Sequence, residues 1–170
     1  MELKGFIQAG LDRVKEAEGK ALEGLSHYEM MWRPGHEANS IGLILFHALR
    51  SEDVSVQIRI QGKPQVWETE KWYQKLNLPV SETGSHYTAE QVAAFPVPEL
   101  KDLMAYADAV RTRTSAYLKK VSPDGFDKII NVPSRGDVTI GWYFMHILVH
   151  LAQHAGEIAY LRGLQRGMNK

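Results

Sequence analysis

The sequence predicts an all-α protein, a four-helix bundle with a long connection between its second and third helices. Three observations predict it. Four segments repeat apolar residues at three- and four-residue spacing, the pattern of a helix with one buried face. Each is bounded by a capping residue or by a Pro/Gly break. The length of 170 residues, with 44% hydrophobic and 24% charged, suits one domain (residues 1–170) around one core.

The first helix is expected from Leu3 to Leu25, with Phe6, Ile7, Leu11, Val14, Ala17, Ala21, Leu22 and Leu25 as its apolar set. Its mixed charges form the solvated face. Pro34 and Gly35 then interrupt the pattern. The second helix is expected from Ser40 to Gln61, capped by Asn39 or Ser40 and stopped by Gly62, Lys63 and Pro64. Residues 63–97 form the crossover. A connection this long in a compact domain either serves function or holds short helices of its own. Trp67–Leu76 is one such segment, and Thr88 caps another that ends at Pro96. The third helix starts near Pro98, which suits a first turn, and runs to Val121 before SPDGFD. Residues 126–138 read as an extended strap or hairpin. Thr139 starts the last helix, which runs to about Leu164, with arginines at its C-terminal end where positive charge suits the dipole.

Composition removes several functions. Twenty basic and twenty acidic residues cancel. That argues against electrostatic binding of nucleic acid or anionic membrane, and no helix–turn–helix signature is present. There is no cysteine, so disulfides, protein thiolate catalysis and zinc–thiolate or cysteine-bound iron–sulfur sites are excluded. The longest apolar run, Ile41–Phe46, is too short to span a bilayer, and charges interrupt the N-terminal segment throughout. A cytoplasmic location is the expectation. Internal repeats and low-complexity segments are not evident.

The histidines carry the chemistry. His146, His150 and His154 lie four apart on the last helix, among Ile147, Leu148, Val149, Leu151 and Ala152. Imidazoles four apart share one helix face and can bind one ion. Burying them costs free energy unless their polar atoms are satisfied, and a shared cation would do that. Two imidazoles leave a coordination sphere open. His47, in the apolar run IGLILFHAL of the second helix, is the best third ligand, because bundle helices face such residues toward one another. A lone buried histidine is more often a hydrogen-bonded core residue. Three histidines plus an open position make a catalytic rather than a structural site. His146 sits a turn further back, where it is second-shell, substrate-facing or structural. Glu157 orients His154 or accepts a proton, or it pairs with Arg162 or Arg111. Glu52 is expected to be solvated. Trp67, Trp72, Tyr73 and Trp142 are candidates to roof the site, with the core as the alternative for each. His27, His36 and His86 are expected in solvent.

Two stretches, NSIGLILFH (39–47) and HILVHLAQHAGEIAYLRGL (146–164), resemble the second-helix and last-helix motifs of the DinB/YfiT-like family of small bacterial metal-binding bundles. TAEQVAAFPVPELKDLMAY also looks like family sequence, so the resemblance spans almost the whole chain in order. It implies an up-down-down-up four-helix bundle, often dimeric, with a metal triad at His47, His150 and His154. It also implies thiol-dependent chemistry, since several members transfer low-molecular-weight thiols to electrophiles.

The expected function is therefore a divalent-metal-dependent enzyme. The first reading is a transferase or detoxifying enzyme acting on a low-molecular-weight thiol, since a coordinating thiol is deprotonated outright and this chain offers no thiol itself. The second is a hydrolase using metal-bound hydroxide. The third is a non-catalytic dimeric interaction or stress-related module. Imidazole ligands suit several transition metals, with Zn or Ni expected here, and no other cofactor is expected. The expected partners are a small-molecule substrate and a second copy of the chain.

Overall fold

The computed structural model describes residues 2–133 and 135–167. The chain is mostly helical, with one small hairpin. In order come α1 (Leu3–Leu22), α2 (His27–Met31), α3 (Ile41–Asp53), which continues as a π-helical segment (Val54–Ile60), α4 (Val66–Thr69), α5 (Trp72–Lys75) and α6 (Ala89–Ala94). Then follow α7 (Leu100–Lys120), a 3₁₀ turn (Pro123–Asp127), β1 (Ile129–Val132), β2 (Gly136–Thr139) and α8 (Ile140–Arg166).

The boundaries follow local chemistry. Ser40 and Thr139 cap α3 and α8 by accepting from Leu43 N–H and Trp142 N–H. Thr88 and Gln91 close a capping box at α6, as do Ser26 and Glu29 at α2. The first helix is shorter than its apolar pattern suggests: it ends at Leu22, and the next residues turn into α2. The Trp67–Leu76 segment forms two short helices, because Lys71 between them takes a left-handed conformation at φ 54°. α7 begins at Leu100, so Pro98 precedes the helix rather than opening it. The strap is an antiparallel hairpin that pairs Ile129 with Thr139 and Val132 with Gly136. Ser134, in its turn, lies outside the described residues.

Long-range contacts fix the helix directions. Leu3 lies by Gly141 and Gly10 by Leu148, and Arg162 donates to the Ala21 carbonyl, so α1 and α8 run parallel. Lys15 pairs with Asp108 and Arg111 reaches the Leu11 carbonyl, so α7 runs against α1. His47 meets His150 while Ser55 meets Tyr143, so α3 runs against α8. Two apolar clusters fill the space between. One, under the crossover, holds Phe46, Trp67, Leu103, Tyr106 and Ile158. The other, toward the hairpin, holds Ile7, Leu11, Leu118, Phe126, Phe144 and Ile147. Phe6, in the expected apolar set of the first helix, is 62% exposed instead. Among the described residues no helix is long and apolar enough to cross a membrane.

Glu52 is not solvated. Five residues beyond His47, it turns toward α7 and is buried, accepting two hydrogen bonds from the Arg111 guanidinium (2.9 and 3.0 Å) and one from Thr114 Oγ1 (2.8 Å). The fork-to-fork geometry supplies the charge and the donors a buried carboxylate needs. Next to it, Asp53 ties the crossover to α3 by accepting from Val66 N–H (2.9 Å), Trp67 N–H (2.8 Å) and Tyr106 O–H (2.8 Å).

Candidate metal centre

α3 and α8 bring three imidazoles to one point. His47 Nε2 lies 3.3 Å from His150 Nε2, which lies 3.1 Å from His154 Nε2. One ring nitrogen from each of the three falls within a 4.8 Å group. Nitrogens bonded at ~2.0–2.1 Å to one tetrahedral ion sit about 3.3 Å apart. The two spacings through His150 Nε2 are close to that edge length, and the third ligand atom lies within 4.8 Å of the others. The four-residue step on α8 supplies the His150–His154 edge, and the opposed run of α3 supplies the third corner.

Two of the three outward nitrogens are held as a metal site needs. His154 Nδ1 lies 2.7 Å from Glu157 Oε2, and His47 Nδ1 lies 3.0 Å from Ser85 Oγ. With the proton on each Nδ1, donating outward, both Nε2 lone pairs turn toward His150 Nε2. A proton on His150 Nε2 could satisfy one of them, and the Ser51 hydroxyl, 3.5 Å from His47 Nε2, offers that ring only a long, weak donor. Three imidazole nitrogens drawn together in this way are a donor set that fits a divalent transition ion. Burial first, and then the neighbouring His154 and His47, push His150 down to about 4. Burial also lowers His47, with His154 adding to the effect. Both rings are therefore neutral near pH 7, the ligating form.

The other expected site residues divide. Glu157 pairs with His154, not with Arg162 or Arg111. Arg111 is engaged by Glu52, and Arg162 donates to the Ala21 and Glu23 carbonyls. His146 lies outside the triad, stacked on Trp142 (5.8 Å) and Tyr143 (5.9 Å), and lines a cavity of about 440 Å³ that His150 borders. Trp142 is 40% exposed and meets that cavity's wall through its stack on His146. Trp67 is fully buried in the core and donates from Nε1 to the Val80 carbonyl, which places it behind α3 rather than over the histidines. A second, smaller cavity of about 220 Å³ touches His47 and His154 from the other side, with exposed His86 at its edge.

Sequence reasoning missed Ser85. Gly84 sets it in place: at φ +70°, an added Cβ would stand 2.9 Å from Phe46 and 3.3 Å from His47 Cα, so only glycine lets this loop lie on α3. Nothing in the local pattern distinguishes this serine from its loop neighbours; the contact exists only once the crossover folds back. Ser51 and Tyr143, on α3 and α8, and Ser55, in the π-helical segment, also stand on the larger cavity's wall.

The family model of the DinB superfamily matches residues 11–158. The chain belongs to the DinB superfamily. Among curated protein sequences, none matches this chain. Of solved structures, a conserved protein from Enterococcus faecalis superposes with a TM-score of 0.84 at 23% identity, covering 96% of this chain and 97% of that one. At that identity the likeness speaks for the shared fold alone. In this DinB chain the fold delivers a three-histidine group able to hold a metal ion.

Proposed function

We propose that this DinB protein is a divalent-metal-dependent enzyme that transfers a small thiol to an electrophile, on a single-domain up-down-down-up four-helix bundle. The observation that carries it is the convergence of three Nε2 atoms from α3 and α8 beside an open cavity. His47, His150 and His154 would hold the ion, with Zn or Ni suiting the all-imidazole set. When bound, such an ion supplies Lewis acidity that favours the thiolate of an incoming thiol. A chain without cysteine takes that thiol from outside.

The protein's own groups have separate tasks in this reading. Ser85 and Glu157 fix the orientation of His47 and His154 through their Nδ1 atoms. His146, beside the cavity and held between aromatic rings, is positioned to exchange a proton with a bound substrate. Burial and the Arg135 charge lower its pKa, so it is neutral and able to accept that proton near pH 7. A homodimer is also proposed. α8 presents Met145, Val149, Tyr160 and Leu164 outward with Ala152 and Gly156 between them, and Leu3 and Phe6 of α1 are exposed as well. A mixed stripe of large and small residues packs against its own two-fold copy. The expected setting is the cytoplasm.

The test is to give metal-loaded protein a panel of low-molecular-weight thiols and a chloronitrobenzene electrophile. Adduct formation that needs both the thiol and the ion supports the transferase. Thiol-independent ester or amide cleavage reassigns the site to a hydrolase, and no turnover with any thiol leaves a binding module.

A further inference from the structure

The larger cavity has an unbalanced charge. Its wall carries Arg50, Glu52 and Arg59. Arg50 is matched by Asp53 at 3.4 Å and Glu52 by Arg111 at 2.9 Å, and both carboxylates are buried. Arg59 is exposed and, among the described residues, has no hydrogen-bond or ion-pair partner. Arg135, at the hairpin, likewise lacks a carboxylate and rests 5.8 Å from the Trp142 ring, which stacks on His146 of the same wall. The uncompensated charge around this space is positive. Much of the remaining wall is hydroxyl, from Ser51, Ser55 and Tyr143, with Ile147 and Leu151 beneath.

The backbone explains how Arg59 comes to face the cavity. His47, Ser51, Ser55 and Arg59 step by four residues. In an α-helix of 3.6 residues per turn, such a series overshoots a turn at every step and drifts around the axis. From Val54 to Ile60 the helix is π, with wider i→i+5 turns in which a step of four falls short. Part of the drift accumulated through Ser55 is thereby undone, and Arg59 borders the same cavity as Ser51 and Ser55.

We propose that this cavity is a subsite for a carboxylate-bearing small molecule, with the Arg59 guanidinium gripping the carboxylate and the molecule's other end directed at His150. The proposal rests on the reading of the three histidines as the reacting centre. A single unpaired guanidinium matches the planar, two-oxygen geometry of a carboxylate. A phosphate carries more charge and commonly draws on a helix N-terminus or a nest of backbone N–H groups as well.

The experiment is calorimetric titration of the metal-loaded wild type and Arg59→Gln with straight-chain dicarboxylates, their diamides and inorganic phosphate, with metal per chain measured on the same samples. Arg59 is exposed, so the variant is expected to fold. The wild type should bind a dicarboxylate and ignore the matching diamide. Arg59→Gln should weaken that binding by about tenfold to a hundredfold, the loss expected for one charge-assisted pair, with metal content unchanged. Equal affinity in the two proteins, or no dicarboxylate bound by the wild type, overturns the subsite while the metal reading stands on its own number. Arg59-dependent binding of phosphate tighter than of any dicarboxylate overturns the carboxylate assignment. Arg59-dependent dicarboxylate binding in samples that hold no metal supports the subsite and removes the reading of the centre.

Discussion

Replacing Asp53 by alanine is expected to be among the most damaging single changes in the chain, and to act on the site from a distance. Asp53 is fully buried. It accepts from Val66 N–H, Trp67 N–H and Tyr106 O–H at 2.8–2.9 Å, and Arg50 Nη1 stands 3.4 Å away. Burial pushes its carboxyl up, and those donors and the Arg50 charge pull against that shift. Alanine strands two backbone N–H groups and leaves the buried Arg50 charge without a counter-ion. Removing one partner of a buried pair costs about 3–5 kcal/mol, and each stranded donor about 1–3 kcal/mol. These losses overlap, and water entering the void offsets part of them, so about 4 kcal/mol is expected. In a chain of this size that lowers Tm by roughly 8–16 °C. Equilibrium denaturation in guanidinium chloride measures the change. Asp53→Asn keeps one acceptor oxygen and should fall between wild type and alanine. Arg50 also donates to the Glu82 carbonyl at 3.1 Å, just before the loop that carries Ser85, so the alanine variant should hold metal less tightly too. A stability within about 1 kcal/mol of wild type would refute this account of how the crossover is anchored.

Ser85→Ala should leave the fold intact and weaken metal affinity by roughly tenfold to a hundredfold, as loss of an outer partner to a ligating histidine does; competition with a chromophoric chelator reads it. Glu18 is buried, and burial raises its carboxyl from 4.5 to about 7. The folded state keeps a proton there that the unfolded chain releases, so the stability tied to it is complete below pH 4.5 and is lost as pH rises through about 7. Glu18→Gln should therefore match wild type near pH 4 and exceed it by about 3 kcal/mol near pH 8, and a difference that does not change between these pH values in urea melts would count against it. Val149 is 47% exposed on the outer stripe of α8, and Val149→Glu should turn a dimer into a folded monomer in sedimentation equilibrium; a wild type that stays monomeric at all concentrations removes the dimer.

What could be read in the sequence was local or periodic. Ser40, Thr88 and Thr139 announced their helices through cap chemistry, and the four-residue step of His150 and His154 needs only helix geometry. His47 could be paired with them because an imidazole in an apolar run asks for a partner. Contacts made by the crossover were not readable. Ser85 reaches His47 across 38 residues, and Asp53 holds Val66 and Trp67 through backbone N–H groups that any residue would offer. Glu52 was misplaced because spacing along one helix says nothing of an arginine 59 residues away. Trp67 illustrates the reverse limit: an aromatic in a long loop suggested a roof, but Phe46 and Tyr106 gave it a core to fill. Arg59 faces the cavity through a switch from α to π that apolar periodicity does not encode.

Metal content tests the central claim most directly. Wild type and His150→Ala, purified alike and loaded with Zn or Ni, are compared by elemental analysis, with circular dichroism confirming that the variant keeps its helices. The expected result is about one ion per chain in the wild type and a small fraction of that in the variant, since losing one of three imidazoles leaves too few donors for an open tetrahedral site. Equal metal in the two proteins, or none in the wild type after loading, would contradict it.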